Sequence, residues 1–433
     1  MEKMDLKPTK PLTGFIELLP AQQRCFDYCA QRMLDVLRIA GFSVLDLPAI
    51  ERAEVLSDKD NWDEIETQMY LFQKGDTKMG LRYDGTVGLS RYVAGHLNDL
   101  VFPFRAAQFS KRYRGERTQR GRYREFYQMD LDIMGINSLS TNYEAEIIAT
   151  LMSAYNSISE FIGQTEVRIS NRKFWNAMFE YLELDDKQSR ETFVLIDKRD
   201  KIDDFRDALI EIIGEQKANV IEDVFTSGYE AFVSKSDKLA ESIAEMKTLI
   251  EVLRAMNIGN AKIDVSIMRG HSYYTGIVFE FFLKDFPEMG AVGGGGRYEN
   301  LASKFSKTKI VGVGSGVGYS KMLVSLLEDN KIDLSKFANI VDVAVLVMGQ
   351  QNVSYAMELV AKLRADGIVA VPYLDTDKKF KNQIEYADKI GAKYSIIIGD
   401  DEVANKVVAL KNMESGVQES VALDDIVQKV KVK

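Results

Sequence analysis

Apolar positions along the 433-residue chain fall into three successive regimes. From Pro20 they recur at helical spacing, at Phe26, Cys29, Ala30, Met33 and Leu37, and Gly41 supplies a stop. An extended segment, Phe42 to Leu47, ends at Pro48. Residues 1–13 are polar and read as loose, and Asp58 to Glu66 as an acidic loop. Met69 to Phe72 and Lys78 to Tyr83 predict a hairpin turning at Gly75-Asp76, and Val87 to Ala94 a helix. Strands are expected over Phe109 to Arg114 and Tyr123 to Ile133, joined by a basic loop. Thr141 and Glu144 have capping-box spacing for a helix running to about Phe161 and stopped by Gly163.

The second regime, residues 171–255, is almost wholly helical, with Trp175, Phe179, Leu182, Phe193, Ile196, Ile202 and Phe205 as apolar anchors. The third returns to strands. Lys262 to Ile267 alternates like a half-buried strand, and Ile277 to Leu283 follows. Glycine-rich runs come next, then a helix over Tyr319 to Leu327 and a short polar linker, Asn330 to Asn339. Beyond it, strands Val341 to Met348, Ile368 to Val371 (closed by Pro372) and Tyr394 to Ile398 alternate with helices, which implies a small, mostly parallel sheet. The expected organisation is therefore a first core part at 1–165, a helical insertion at 166–258, a second core part at 259–328, a linker at 329–339 and an α/β domain at 340–433.

Composition narrows the function. Hydrophobic residues are 46% and charged residues 28%, the balance of a globular protein. A net charge of −9 argues against bulk polyanion binding, although a local basic patch would suffice for nucleic acid. Cys25 and Cys29, four apart in a helical pattern, read as buried small hydrophobes of a reduced protein. With only His96 and His271, a His-based metal site or a Ser-His-Asp triad is nearly excluded, and no metal ligands are assigned. No apolar run approaches a membrane span and no leader pattern is evident, so the expected location is cytoplasmic.

The chemistry centres on Arg105 to Gly135, where basic residues crowd and alternate with aromatics. Arginine grips phosphate through a planar fork. The plain alternative is a surface hairpin with surplus charge. Asp84-Gly85-Thr86 is either a helix cap or a carboxylate aimed into a pocket. Arg269 with Tyr273 and Tyr274 is either a pocket rim or a turn with packed rings. The run Gly293 to Gly296 permits close backbone approach, and Gly312-Val-Gly314-Ser-Gly316-Val-Gly318 reads as tight helix-on-sheet packing or an anion-receiving helix start. Taken together, Arg114, Arg122 and Arg269 would neutralise phosphates. Asp84 and Asp132 would hold an amine or an imidazole N–H, and Gln128, Thr86, Tyr273 and Tyr274 supply neutral hydrogen bonds. Such a pocket fits a nucleoside triphosphate beside a zwitterion and implies carboxylate attack on an α-phosphate.

At this point the residues carry a resemblance. Tyr113-Arg114-x-Glu116, a loop, then Arg122-x-x-x-Phe126 resembles motif 2 of class II aminoacyl-tRNA synthetases. Arg269-Gly-x-x-Tyr273-Tyr274 resembles the signature of histidyl-tRNA synthetases, as do Asp84-Gly-Thr86, Gln128-x-x-x-Asp132, Ile196 to Ile202 and Gly294 to Tyr298. The resemblance covers nearly the whole chain. It implies an α+β fold, with an antiparallel-sheet class II synthetase-like catalytic domain, a helical insertion and an anticodon-binding-like C-terminal α/β domain.

It further implies histidine and ATP as substrates with Mg, tRNA(His) as partner, and a homodimer whose interface includes Pro48 and the preceding helix. Arg114 would contact the α-phosphate, Glu116 and Phe126 the adenine, and Arg122 and Lys321 the terminal phosphates. Asp84, Gly85, Thr86 and Gln128 would hold the α-amino end of histidine, and Asp132, Tyr273 and Tyr274 its imidazole. Arg269 would bridge carboxylate and α-phosphate, so that Arg269 and Arg114 are the catalytic pair, and Arg117 and Gln119 would meet the tRNA acceptor end. The sequence departs from the family pattern with Ser320-Lys321 in place of an acid–arginine pair. Ser272 replaces an aspartate, Thr118 a proline, and Asp84 and Asp132 stand where glutamates are common. A non-catalytic paralogue resembling the regulatory subunit of ATP phosphoribosyltransferase is the alternative, and a generic RNA-binding scaffold ranks third.

Overall fold

The computed structural model describes residues 7–56, 67–199, 202–268, 274–299 and 301–431. The acidic loop expected over Asp58 to Glu66 lies outside these residues, as do Arg269, His271, Ser272 and Tyr273. Contacts divide the chain into two units, 1–18 with 26–332 and 19–25 with 333–433.

In the first unit, eight strands form one sheet among the described residues. They are β1 (Ser43–Leu45), β5 (Phe104–Tyr113), β6 (Glu125–Ile136), β7 (Thr165–Asn171), β8 (Ala261–Ile263), β9 (Tyr274–Leu283), β10 (Ala291–Tyr298) and β11 (Ile310–Val317). Their order is β1-β5-β6-β11-β10-β9-β7-β8, antiparallel except where the end strands β1 and β8 join. Strands β2 (Ile50–Arg52), β3 (Leu71–Lys74) and β4 (Thr77–Leu81) make a separate small sheet that includes the predicted hairpin.

Side chains alternate across a pleated sheet, so register decides which residues share a face. Ser110 lies opposite Gln128, Gln108 opposite Asp130, and Ala106 opposite Asp132. Asp130 in turn faces Gly316, and Asp132 faces Gly314. One face of the sheet centre is therefore polar and glycine-lined. The intervening residues Met129, Leu131, Ile133, Val313 and Val317 are fully buried on the other face. There the helix Tyr319–Glu328 packs on β6, and the ring of Phe26 meets Tyr319 edge-on at 4.7 Å. Phe109 stacks on Tyr127 at 5.1 Å, and each such pair contributes about 0.5–1.5 kcal/mol beyond burial. The two cysteines are buried and not joined in a disulfide.

Several local readings change. The strands β2, β10 and β11, and the segments Val407–Asn412 and Gln418–Ala422, were not expected as strands, and neither was β7, which begins one residue before the boundary placed at 166. Its Val167, Ile169 and neighbours alternate and pair with β9, but their apolar density runs directly into the helix Arg172–Tyr181. The capping box at Thr141 and Glu144 does not form. Glu144 instead takes a bidentate grip from Arg297, with Nε and Nη2 donating to its two oxygens at 2.6 and 2.8 Å. The strand after 261 stops at Ile263, because the Asp264 carboxylate accepts from the backbone N–H and hydroxyl of Ser266.

The second unit holds the five-stranded sheet β13-β12-β14-β15-β16, formed by β12 (Val343–Val347), β13 (Ala370–Tyr373), β14 (Tyr394–Ile398), β15 (Val407–Asn412) and β16 (Gln418–Ala422). The first three are parallel and the last two antiparallel. Pro372 lies within β13 instead of ending it, which an edge strand tolerates. The molecule is α+β, rich in antiparallel strands.

Candidate active site

The polar face of the large sheet floors a cleft of about 400 Å³. At one wall, β4 ends and Asp84-Gly85-Thr86 leads into the helix Thr86–Gly95. Asp84 Oδ1 accepts the amide of Val87 at 3.0 Å, and Asp84 and Thr86 both line the cleft. The two readings of this tripeptide are thus both present. The carbonyl of Gly85 accepts from Gln108 Nε2 at 3.1 Å, which ties the wall to β5.

At the loop end of the β5–β6 hairpin, the Arg114 guanidinium lies 4.6 Å from the ring centre of Tyr83 and 5.2 Å from that of Phe126. Rings on two sides restrict a fork that would otherwise sample many rotamers. Arg122 reaches the cleft and donates from Nη1 to Glu116 Oε2 at 3.1 Å. Lys321, at the start of the Tyr319–Glu328 helix, also lines it and donates to the carbonyl of Ala291 at 2.7 Å. Ser320 is fully buried, and its hydroxyl accepts the Tyr127 amide at 2.8 Å. Arg117 and Gln119 are exposed on the hairpin loop and are not among the residues lining the cleft.

Asp132 is strongly perturbed. It is 2% exposed and accepts from the Tyr298 hydroxyl at 2.7 Å. Burial pushes its carboxyl up to about 8, and the charges of Asp130 and Asp84 add to the rise. The Tyr298 hydrogen bond and Arg112 act in the opposite sense. At neutral pH the side chain is largely a carboxylic acid. Tyr274 is buried and joins it in the cleft lining.

The glycine run of β11 serves this floor. A Cβ on Gly314 would overlap Asp132 Oδ1, and one on Gly316 would lie 2.6 Å from Gln128 Nε2. Those glycines leave volume for the side chains of β6. The reading as helix-on-sheet packing misses this role.

Other participants escaped the sequence. Tyr298 stood inside a quoted motif without a role of its own. Arg112 and Asp130 form a buried ion pair, Nη2 to Oδ2 2.6 Å, at the floor of the cleft, where Asp130 is part of the lining. In the sequence Arg112 is one basic residue among many. The available signal was parity, since Arg112, Gln108 and Ser110 share a strand face. Glu280 lines the far wall.

The cleft thus carries cationic groups, Arg114, Arg122 and Lys321, and carboxyl groups, Asp84, Asp130, Asp132 and Glu280, around one polar floor. That arrangement suits a polyanion beside a group that donates hydrogen bonds.

A family model described as Histidyl-tRNA synthetase matches residues 14–326, and one described as Anticodon binding domain matches residues 342–433. The histidine–tRNA ligase of Clostridium tetani is 37% identical over 443 residues, covering 99% of each chain. That of Finegoldia magna is 37% identical, covering 97% of this chain and 99% of its own. The crystal structure of histidyl-tRNA synthetase from Nostoc sp. PCC 7120 superposes with a TM-score of 0.80 at 29% identity, over 98% of this chain and 99% of that one.

Proposed function

This chain belongs to the histidyl-tRNA synthetase family, and from that premise we propose that it is a histidine–tRNA ligase. The enzyme activates histidine with ATP and transfers the histidyl group to the 3′ end of tRNA. In the first step a histidine carboxylate oxygen bonds to the α-phosphorus and pyrophosphate leaves. In the second the tRNA ribose hydroxyl takes the acyl group and AMP leaves. No protein nucleophile is needed, so positioning and charge stabilisation carry the rate.

The observation that carries this reading is the shared cleft. Arg114, held between two rings, would meet the α-phosphate, and Arg122 and Lys321 the terminal phosphates. Phe126 would stack on the adenine, whose amino group would donate to the Glu116 carboxylate. Glu116 now holds Arg122, so ATP would take both partners of an existing pair. Asp84, Thr86 and Gln128 would receive the α-amino group beside the Gly85 backbone, and Asp132 with Tyr274 the imidazole. Arg269 and Tyr273 keep the roles the family resemblance implies.

Among the described residues no three His, Cys, Asp or Glu converge as a metal-holding set. Magnesium would arrive with the triphosphate, in a cleft whose lining includes Glu280. Bound there it would neutralise phosphate charge.

We assign residues 1–165 and 259–328, together with strand β7, to catalysis, the rest of 166–258 to the insertion and 340–433 to the tRNA anticodon, in a cytoplasmic homodimer. Among the described residues no helix is long and apolar enough to cross a membrane. Of the two residues behind the regulatory-paralogue reading, Ser320 has a packing role instead. Histidine-dependent ATP–pyrophosphate exchange is the direct test. Exchange absent at every magnesium concentration would overturn the assignment.

A further inference from the structure

At the floor of the cleft, whose lining includes Gln128 and Asp130, lies a set of hydrogen bonds around Arg112 that the roles above leave unused. Arg112 is fully buried, Asp130 is 3% exposed and Gln108 is 2% exposed. Arg112 Nη2 donates to Asp130 Oδ2 at 2.6 Å, and Nη1 to the Ser110 hydroxyl at 2.7 Å. The other Asp130 oxygen, Oδ1, accepts from Gln128 Nε2. We propose that the Arg112–Asp130 pair is a positioning device. It turns the amide of Gln128 so that its carbonyl oxygen, an acceptor, faces the amino group of the amino-acid substrate. The inference rests on the reading of Gln128 as a histidine-binding residue.

The argument is one of donors and acceptors. A glutamine side chain has a donating end and an accepting end, and its partners decide which points where. An ionised carboxylate can only accept, so Asp130 selects the NH₂ end of Gln128 and sends the carbonyl the other way. A buried carboxylate needs a counter-charge, and Arg112 supplies it through a planar fork. The pair is also held from above. A Cβ on Gly85 would overlap both Arg112 Nη2 and Asp130 Oδ2, so the wall that carries Asp84 and Thr86 rests directly on the pair. Gln108 grips the Gly85 carbonyl and lies 3.5 Å from Arg112 Nη2. An amide so fixed presents an acceptor to an ammonium group at no cost of reorientation.

The test is a double-mutant cycle in full-length enzyme, read by ATP–pyrophosphate exchange. Asp130→Asn lets the Gln128 amide turn, and Arg112→Met with Asp130→Met removes both charges without stranding either. Each is expected to raise the histidine KM tenfold or more with the ATP KM within twofold. Gln128→Met should raise it comparably. In that background Asp130→Asn should add less than twofold, because Asp130 acts through Gln128. Equal effects of Asp130→Asn with and without Gln128 would overturn the inference. So would a folded double-methionine variant with the parent histidine KM, or parallel increases in both KM values. A Gln128→Met enzyme with the parent histidine KM would instead remove the reading of Gln128, and this inference with it.

Discussion

Asp132 sits where burial and two neighbouring acids oppose its ionisation, and that has consequences at opposite ends of the pH scale. Its folded value, about 8, lies above the ordinary 3.8. The folded protein therefore holds an extra proton between those limits, and stability falls as pH rises through them. Asp132→Asn removes the penalty. It should leave thermal stability unchanged near pH 4 and raise it at pH 9, by about 1–3 kcal/mol, the cost of a poorly satisfied buried group. Calorimetry at the two pH values reads this, and equal shifts at both would refute it. Lys321 gives a second residue-scale expectation. Its ammonium is a point charge where the family pattern has a fork. Lys321→Ala should raise the ATP KM about tenfold with the histidine KM within twofold, and Lys321→Arg should lower it. Initial rates of exchange against ATP decide the matter. Residue types such as these were legible because carboxyl, guanidinium and ring groups are chemically distinctive. Arg112 and Asp130 were not, since charge alone does not tell a buried pair from a solvated face.

At the scale of elements, the sheet owes its function to parity. Strand β6 sends Gln128, Asp130 and Asp132 to one side and Met129, Leu131 and Ile133 to the other, and β11 answers the first set with glycine. At Gly314 the added methyl would meet the Asp132 carboxyl and, at 2.9 Å, the Leu131 carbonyl. The second is backbone and cannot turn aside. Gly314→Ala should cost about 1–3 kcal/mol by overpacking and reduce histidine-dependent exchange. Gly259→Ala, where nothing lies within 4 Å, should stay within about 0.5 kcal/mol of the parent in denaturant unfolding. A Gly314→Ala protein as stable and active as the control would show that the floor has slack. Most strands and helices were readable from period alone, including the β3–β4 hairpin and β14. The missed strand β7 and the absent cap at Glu144 share a cause. Both depend on partners far along the chain, β9 and Arg297, which local patterning does not record.

For the whole molecule, the decisive fact is a net charge of −9 set against one basic hairpin. A chain of that balance repels nucleic acid over most of its surface, so attraction is confined to a patch and falls with salt. The alternation of strand-rich, helical and strand-rich regimes was visible at this scale. A role for Arg117 and Gln119 at the tRNA acceptor end comes only from the family resemblance. Arg117 and Gln119 are exposed on the hairpin loop, outside the cleft lining, whereas Arg114 and Arg122 are in it. If the loop meets the tRNA acceptor end, replacing Arg117 and Gln119 together by alanine should leave ATP–pyrophosphate exchange within twofold. The same variant should slow histidyl transfer at least tenfold, with a weaker salt dependence of the tRNA KM, because one phosphate-neutralising group is gone. Arg114→Ala should abolish exchange and transfer together. A double variant that loses exchange as steeply as transfer would place the loop in the first half-reaction. Its exposure would then reflect a closure over ATP and not a surface kept for the nucleic acid.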